Sequence, residues 1–481
     1  MISKRLVLMI LFALASFSTK AEQDKATYAI VVSKTTLSDN EWSSVVKALV
    51  EKHDAEVITY ASSIQDSLMR LKEVFPRYTC VVAKHEEATQ PFVESVHRMM
   101  REFDDDPFTD TIWGILTGFD AAGALEVALH KEPLLIQRVA SGTEVELEVC
   151  KEGVYYCELN QGHMVQKKKG GEPTVGKAPA DTTKALVDSL NEYRPQLFVT
   201  SGHATERDWQ IGYRYKNGYF RSKGGELFGV DTKGKRFPIN STNPKVYMPI
   251  GNCLMGHIDG PDAMALAFMN SAGVYQMLGY TKVTWYGYAG WGCLDYFVEQ
   301  PGRYTFAEAF HANHHALIHR LEKNFPGMSD VTVDDRGRPS APLRMSSTAG
   351  DRGLVGRDGI GLIFDRDIVA FYGDPAWEAR MAEGPLAFGQ RLKVEGDRFT
   401  FTIQPNLGKD SFLPVNTNGA QRGGRPIVHF LPYRVTEIKV LEGGELNPVI
   451  TDDFLLIPNP GSCDPNKDYK LVFSASPLSK Q

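Results

Sequence analysis

From residue 28 to about residue 130, short apolar runs alternate with segments whose apolar positions recur every three to four residues. The runs at 28–33, 56–60, 78–83 and 111–116 predict strands. The segments at 40–52, 64–74, 88–103 and 120–130 predict helices. Trp42, Val45, Val46, Leu49 and Val50 share one broad face of the first helix, and Val93, Val96, Met99 and Met100 line the third. Strands apolar on both faces, interleaved with amphipathic helices, predict a parallel sheet covered on both sides.

The pattern changes between residues 143 and 180. Residues 144–150 and 154–159 read as a hairpin around Lys151, Glu152 and Gly153, and the Lys-, Gly- and Pro-rich stretch 164–180 reads as an exposed loop. The α/β alternation then returns. Helices are predicted at 182–193, 263–270 and 306–321, and strands at 196–200, 245–251 and 273–278. Residues 326–359 read as loop, and 361–372 as a strand pair turning at Asp365 and Arg366. Beyond about residue 385 helical periodicity disappears. Short strands at 398–403, 427–431, 433–441, 454–457 and 469–473 stand between Gly, Pro and Asn, which fits a β-sandwich.

The leader changes the reading of the N-terminus. Lys4 and Arg5 precede an apolar stretch at 6–17, with small residues before a cleavage point after Ala21. This reads as a secretory signal peptide, too short to span a membrane comfortably, with an uncleaved anchor as the alternative. The expected organisation is a signal peptide at 1–21, an N-terminal α/β subdomain at 22–142 and a hairpin and connecting segment at 143–195. An α/β catalytic subdomain at 196–384 and a β-sandwich at 385–481 follow. An exported location is expected, whether periplasmic, cell-surface or extracellular, with no membrane span after signal removal.

The 481 residues are 42% hydrophobic and 23% charged, with a net charge of −6, and −9 once Lys4, Arg5 and Lys20 leave with the signal. That is ordinary globular composition, with no electrostatic case for a nucleic-acid partner. Six cysteines are too few for a disulfide scaffold. Cys150 and Cys157, flanking the predicted hairpin turn, are the one candidate disulfide. Cys80 falls in a predicted core strand, and Cys293 and Cys463 in loop-like contexts.

Two strand ends carry the chemistry. Leu197-Phe-Val-Thr-Ser-Gly-His203 and Val246-Tyr-Met-Pro-Ile-Gly-Asn-Cys253 each run from apolar residues through small ones to a reactive side chain. If the strands are neighbours, His203 and Cys253 emerge together at the carboxyl edge of the sheet, where open α/β proteins place their sites. A cysteine beside a histidine can act as nucleophile, with the imidazole as general acid/base. A surface histidine and a buried structural cysteine give the same residues a purely structural role.

These segments resemble the gingipain-type cysteine peptidases of the caspase-like clan (clan CD). The similarity lies in Ser201-Gly202-His203, in Asn252-Cys253 before a helix, and in Thr284-Trp-Tyr-Gly287. It extends to Thr305-Phe-Ala-Glu-Ala-Phe310, to Phe371-Tyr-Gly-Asp-Pro-Ala376 and to the segment from Asp104 to Phe108. The resemblance implies a caspase-like, doubly wound, mostly parallel α/β sheet with flanking helices and a C-terminal immunoglobulin-like β-sandwich. It implies an endopeptidase with Cys253 as nucleophile and His203 as general acid/base, acting on protein or peptide substrates through a thioester. The backbone N–H groups of Cys253 and Ala204 would form the oxyanion site, and Trp285, Tyr286, Gly287 and Trp291 would wall the substrate pocket. The family has Gly where this chain has Ala204, so either the turn tolerates a methyl group or activity is reduced. Asp110, Asp120 and Glu206 are the candidates for a third, orienting acid.

The chemistry requires no cofactor; a structural Ca2+ is compatible with the sequence, which identifies no site for it. His311, His315 and His319 recur at helical spacing, with His314 beside them, and are the one candidate transition-metal set. The alternative to a peptidase is a catalytically inactive, peptidase-like surface or binding protein. The sequence does not set the oligomeric state.

Overall fold

The computed structural model describes residues 28–334, 336–417, 419 and 421–478. The expected signal peptide lies outside the described residues.

One twelve-stranded sheet organises the chain up to residue 372. Its strands are β1 (Tyr28–Ser33), β2 (Glu56–Tyr60), β3 (Tyr78–Val82), β4 (Ile112–Leu116), β5 (Arg138–Ser141) and β6 (Glu152–Tyr156). They continue with β7 (His163–Lys167), β8 (Thr174–Lys177), β9 (Leu197–Thr200), β10 (Lys245–Pro249), β11 (Val274–Tyr280) and β12 (Val369–Tyr372). The spatial order is β2-β1-β3-β4-β12-β11-β10-β9-β5-β6-β7-β8. β1 to β4 are parallel, and β12 runs parallel to β4. β12 is antiparallel to β11, whereas β11, β10, β9, β5 and β6 are parallel among themselves. The sheet therefore has two halves pointing in opposite directions. The carboxyl ends of β1–β4 and β12 lie on one edge, and those of β5, β6 and β9–β11 on the other.

Strand alternation divides β1 between two cores. Tyr28, Ile30 and Val32 pack with Trp42, Val45 and Leu49 of the Asn40–His53 helix and with Ala121 and Ala124. Ala29 and Val31 join Val93, Val96 and Met99 in the larger core on the other face. Helices thus cover both faces, as expected for a strand buried on both sides.

Asp374 closes the α/β region. Its carboxylate, fully buried, accepts from Tyr28 Oη (2.8 Å) and Lys52 Nζ (2.9 Å) and meets His53 Nε2 (2.8 Å). The segment after β12 is thereby tied back to β1 and the first long helix.

Residues 388–477 form two antiparallel sheets, one of four strands and one of three. Phe399, Phe401, Leu455, Leu471 and Phe473 belong to the core they share. This sandwich is anchored on the α/β region. Arg422 is ion-paired with Glu146, Asp295 and Glu299, and the Phe454 ring stacks on His315 at 4.0 Å.

Three expectations fail locally. Residues 361–372 are not a strand pair, because Gly356–Asp367 is a helix and only Val369–Tyr372 is a strand. The misleading glycines there serve packing: any Cβ at Gly359 or Gly361 would collide with the Phe325 or Tyr286 ring. The stretch 164–180 is not all loop, since β7 and β8 extend the sheet edge. The expected hairpin arm at 144–150 is instead a short 3-10 turn at Leu147–Val149. The segment between β9 and β10, left open by the sequence pattern, is a separate four-stranded antiparallel sheet from Asp208 to Ile239.

Candidate active site

β9 and β10 are parallel neighbours in register, with Thr200 opposite Pro249. The chain turns sharply beyond each strand. Gly202 takes a left-handed φ of +104°, and the next residue, His203, is exposed. Leu254, directly after Cys253, sits at φ +57°, which costs a non-glycine residue about 1 kcal/mol. Local strain of this kind persists only where surrounding bonds over-determine the turn. Here the Leu254 N–H donates to the Lys282 carbonyl (3.3 Å), and His257 N–H donates back to the Leu254 carbonyl (3.0 Å).

Asn252 is the residue that joins the two turns. Its side chain is fully buried, Nδ2 donates to the Gly202 carbonyl at 2.9 Å, and Oδ1 accepts from Thr200 Oγ1 at 2.7 Å. Thr200 Oγ1 also lies 2.9 Å from Tyr247 Oη. A buried amide bridging two strand ends removes the freedom of each turn to drift against the other. The sequence placed Asn252 beside the cysteine but gave it no role; only the pairing of β9 with β10 reveals one.

The half-buried Cys253 Sγ lies 3.6 Å from the Thr284 carbonyl. Burial pushes the thiol above its ordinary range, and the backbone of Thr284 and of Cys253 itself pulls it only partly back. Among the described residues no hydrogen bond joins Cys253 to His203. The His203 ring packs against Tyr213 instead, with centroids 4.7 Å apart. The N–H groups of Cys253 and Ala204 make no hydrogen bond among the described residues, so both remain available as donors. Ala204 is absent from the positive-φ positions and bridges to Trp209, so the left-handed step of this turn falls on Gly202 and the methyl group is tolerated.

Of the expected pocket residues, Trp285 is the exposed one, at 36%, and follows Thr284, which touches the thiol. Its ring meets Phe364, and Arg357 lies over it. Tyr286 and Trp291 are buried supports rather than open wall: Tyr286 Oη donates to Asp358, and Trp291 lies beneath Gly251. Gly287, at φ +85°, caps the buried helix Tyr288–Phe297.

The three candidate acids do not converge on His203. Asp120 follows β4, on the edge opposite to the carboxyl end of β9. Asp110 precedes β4 and is on the correct edge, but four strand spacings, about 19 Å, separate β4 from β9. Asp110 is buried, accepts from Phe103 N–H, and is pushed up to about 9 by burial and by Asp104. Glu206 lies close in sequence, but its hydrogen bonds fall on its backbone carbonyl, from Met264 N–H and from Arg207 Nη1.

Cys150 and Cys157 are both free and lie beyond opposite ends of β6, whose four residue steps alone span about 13 Å at strand rise, so no disulfide joins them. His311, His315 and His319 do not form a metal set. The His311 Nε2 meets the Trp113 backbone, His315 stacks on Phe454, and burial holds all three below the ordinary imidazole value. The carboxylates with metal-sized spacing among the described residues are Asp104, Asp106 and Asp110, whose oxygens lie within 4.8 Å of one another. Cys293 is fully buried in a helix, with its thiol pushed well up by burial. No described helix is long and apolar enough to cross a membrane.

No family model matches the chain, and no curated protein matches it by sequence. Among solved structures it is similar to a complex of Porphyromonas gingivalis RgpB pro- and mature domains, at 11% identity over 93% of both chains with a TM-score of 0.43. It is similar to the Arg-specific cysteine proteinase gingipain R (RGPB), at 11% identity over 93% of both chains with a TM-score of 0.42. A structure described only as a protease covers 94% of this chain and 98% of its own, at 9% identity and a TM-score of 0.39.

Proposed function

We propose that the chain is an exported cysteine endopeptidase. The observation that supports this most directly is the parallel pairing of β9 with β10, locked by Asn252, which delivers His203 and Cys253 to the same edge of the sheet. Cys253 Sγ attacks the acyl carbon of a peptide bond after losing its proton to the His203 imidazole. The Cys253 and Ala204 N–H groups hold the resulting oxyanion. The imidazolium returns the proton to the leaving amine, giving a thioester. Water, activated by the same ring, then releases the acid and restores the thiol. The hydrogen bond between the ring and the thiol forms in the substrate complex, where catalytic hydrogen bonds tighten. Trp285 forms the pocket wall nearest the thiol. Substrates are proteins or peptides, and the chemistry calls for no cofactor.

Cleavage of a peptide library by the mature, reduced protein tests the reading. Activity lost in both Cys253→Ala and His203→Ala supports it. Activity retained in Cys253→Ala refutes it. Silence of the parent protein after removal of any N-terminal extension favours the peptidase-like binding protein.

A further inference from the structure

The edge opposite His203 and Cys253 carries its own cavity, of about 310 Å³. It opens at the carboxyl ends of β4 and β12, which are adjacent and parallel, and extends under the start of β11. Cavities of this size at strand carboxyl ends are ordinary small-ligand sites. One polar group of its wall lacks a partner. Thr117 is 5% exposed and lines the cavity, and its Oγ1 makes no hydrogen bond. A buried hydroxyl left without a partner is costly, and a ligand donor or acceptor would recover that cost.

The charge of the lining selects the ligand. Asp120 and Glu126 contribute two carboxylates, and the lining contains no lysine, arginine or histidine. The Ala121–Leu129 helix points its N-terminus here, but a macrodipole supplies only about half a positive charge. The Asp120 carboxylate already caps that end through the Gly123 N–H at 2.9 Å. Glu126 accepts from Tyr275 Oη at 2.7 Å and retains lone pairs for a second donor. Phe119 and Tyr275 add aromatic surface suited to a cation.

We propose that this cavity binds a small organic cation, an alkylguanidinium or alkylammonium group, independently of the thiol edge. Thr117 and Glu126 hydrogen-bond its N–H groups, Asp120 supplies charge, and Phe119 packs on its alkyl chain.

Calorimetric titration of the full mature protein with agmatine, with the peptide acetyl-Gly-Arg-Gly-amide, and with glutarate as the anionic control tests this. Saturable 1:1 binding of agmatine or of the peptide, with none of glutarate, is expected. Tighter binding of agmatine marks a free small molecule as the ligand, and tighter binding of the peptide marks an arginine side chain. Glu126→Gln and Asp120→Asn should each weaken binding at least fivefold. Both are gentle changes, because Glu126 is exposed and Asn remains a good helix cap. Cys253→Ala should leave the affinity within twofold. Absence of saturable binding, affinity unmoved in both carboxylate variants, or loss of binding in Cys253→Ala would each overturn the proposal.

Discussion

Asn252 Nδ2 donates to the Gly202 carbonyl at 2.9 Å, so the residue before the candidate nucleophile holds the residue before the candidate base. Asn252→Ala removes this bond and the one from Thr200, leaving the Gly202 carbonyl unpaired. The expected stability loss is about 1–3 kcal/mol. If the clamp positions the dyad, kcat falls about 100-fold while KM changes little, because small misplacements of reacting groups cost that much. Steady-state kinetics on a cleaved peptide, beside thermal melts, separates the two effects. A raised KM at unchanged kcat would rule out the positioning role.

The Cys253 thiol is held above its ordinary range by burial and is not hydrogen-bonded to His203. Little thiolate therefore exists at neutral pH in the free protein. Iodoacetamide should modify Cys253 more slowly than it modifies a free cysteine at pH 7. The rate should still be rising at pH 9. Mass spectrometry of the alkylated peptide reads this directly. A rate that plateaus below pH 7 would instead mark a resting thiolate-imidazolium pair.

Ala204→Gly tests whether the alanine limits activity. Because Gly202, and not Ala204, carries the left-handed conformation, the added freedom of glycine gains nothing in the turn. Stability should fall by about 0.5–1 kcal/mol through the unfolded chain, and peptide cleavage should stay within threefold of the parent. A gain of tenfold or more would show that the methyl group obstructs the substrate.

The strands of the great sheet were legible because β1, β3, β4, β9 and β10 are buried on both faces and read as unbroken apolar runs. His203 and Cys253 were legible for the same reason, standing just past two such runs. The opposed direction of the two half-sheets was not legible, since β12 arrives from far along the chain, and with it went any basis for rejecting Asp120. The Tyr288–Phe297 helix is buried on every side and so has no periodic face to detect. The Gly356–Asp367 helix is hidden in the sequence because its glycines, required by contact with Phe325 and Tyr286, imitate turn residues. Cys150 and Cys157 resemble hairpin partners in sequence because Lys151-Glu152-Gly153 has turn composition, whereas the chain runs straight through it as a strand from Glu152.

Asp374 ties β1, the first long helix and the segment after β12 together. Burial alone would raise its pKa, but hydrogen bonds and charge from His53 and Lys52 outweigh that and hold it well below the usual carboxylate range. A depressed folded-state pKa contributes stability that is present above the unfolded value, about 3.9, and is lost as pH falls through the folded one. Asp374→Asn removes that charge and leaves Lys52 buried without its partner, at a cost of about 3–5 kcal/mol. Urea unfolding at pH 7 measures this. The gap between parent and variant should narrow below pH 4, and a gap below 1 kcal/mol at pH 7 would contradict the assignment.

His97 and His311 work in the opposite charge state. Burial lowers them to about 4 and about 3, with the His97 Nε2 held at 2.8 Å from the Val369 carbonyl. On unfolding, each takes up a proton near pH 6.5. Between pH 6.5 and about 4 the unfolded state therefore binds more protons, and stability falls as pH drops, by up to about 1.4 kcal/mol per pH unit for each ring. Buried carboxyls act in the other direction, since burial holds Asp365 and Asp453 up at about 7. The total pH curve mixes both signs, so the informative quantity is a difference. His97→Gln can keep the donor to Val369 but does not titrate. Its stability relative to the parent should improve steadily from pH 6.5 to pH 4.5, read by urea denaturation at each pH. A parent-to-variant difference that stays constant across that range would mean that His97 is protonated in the fold.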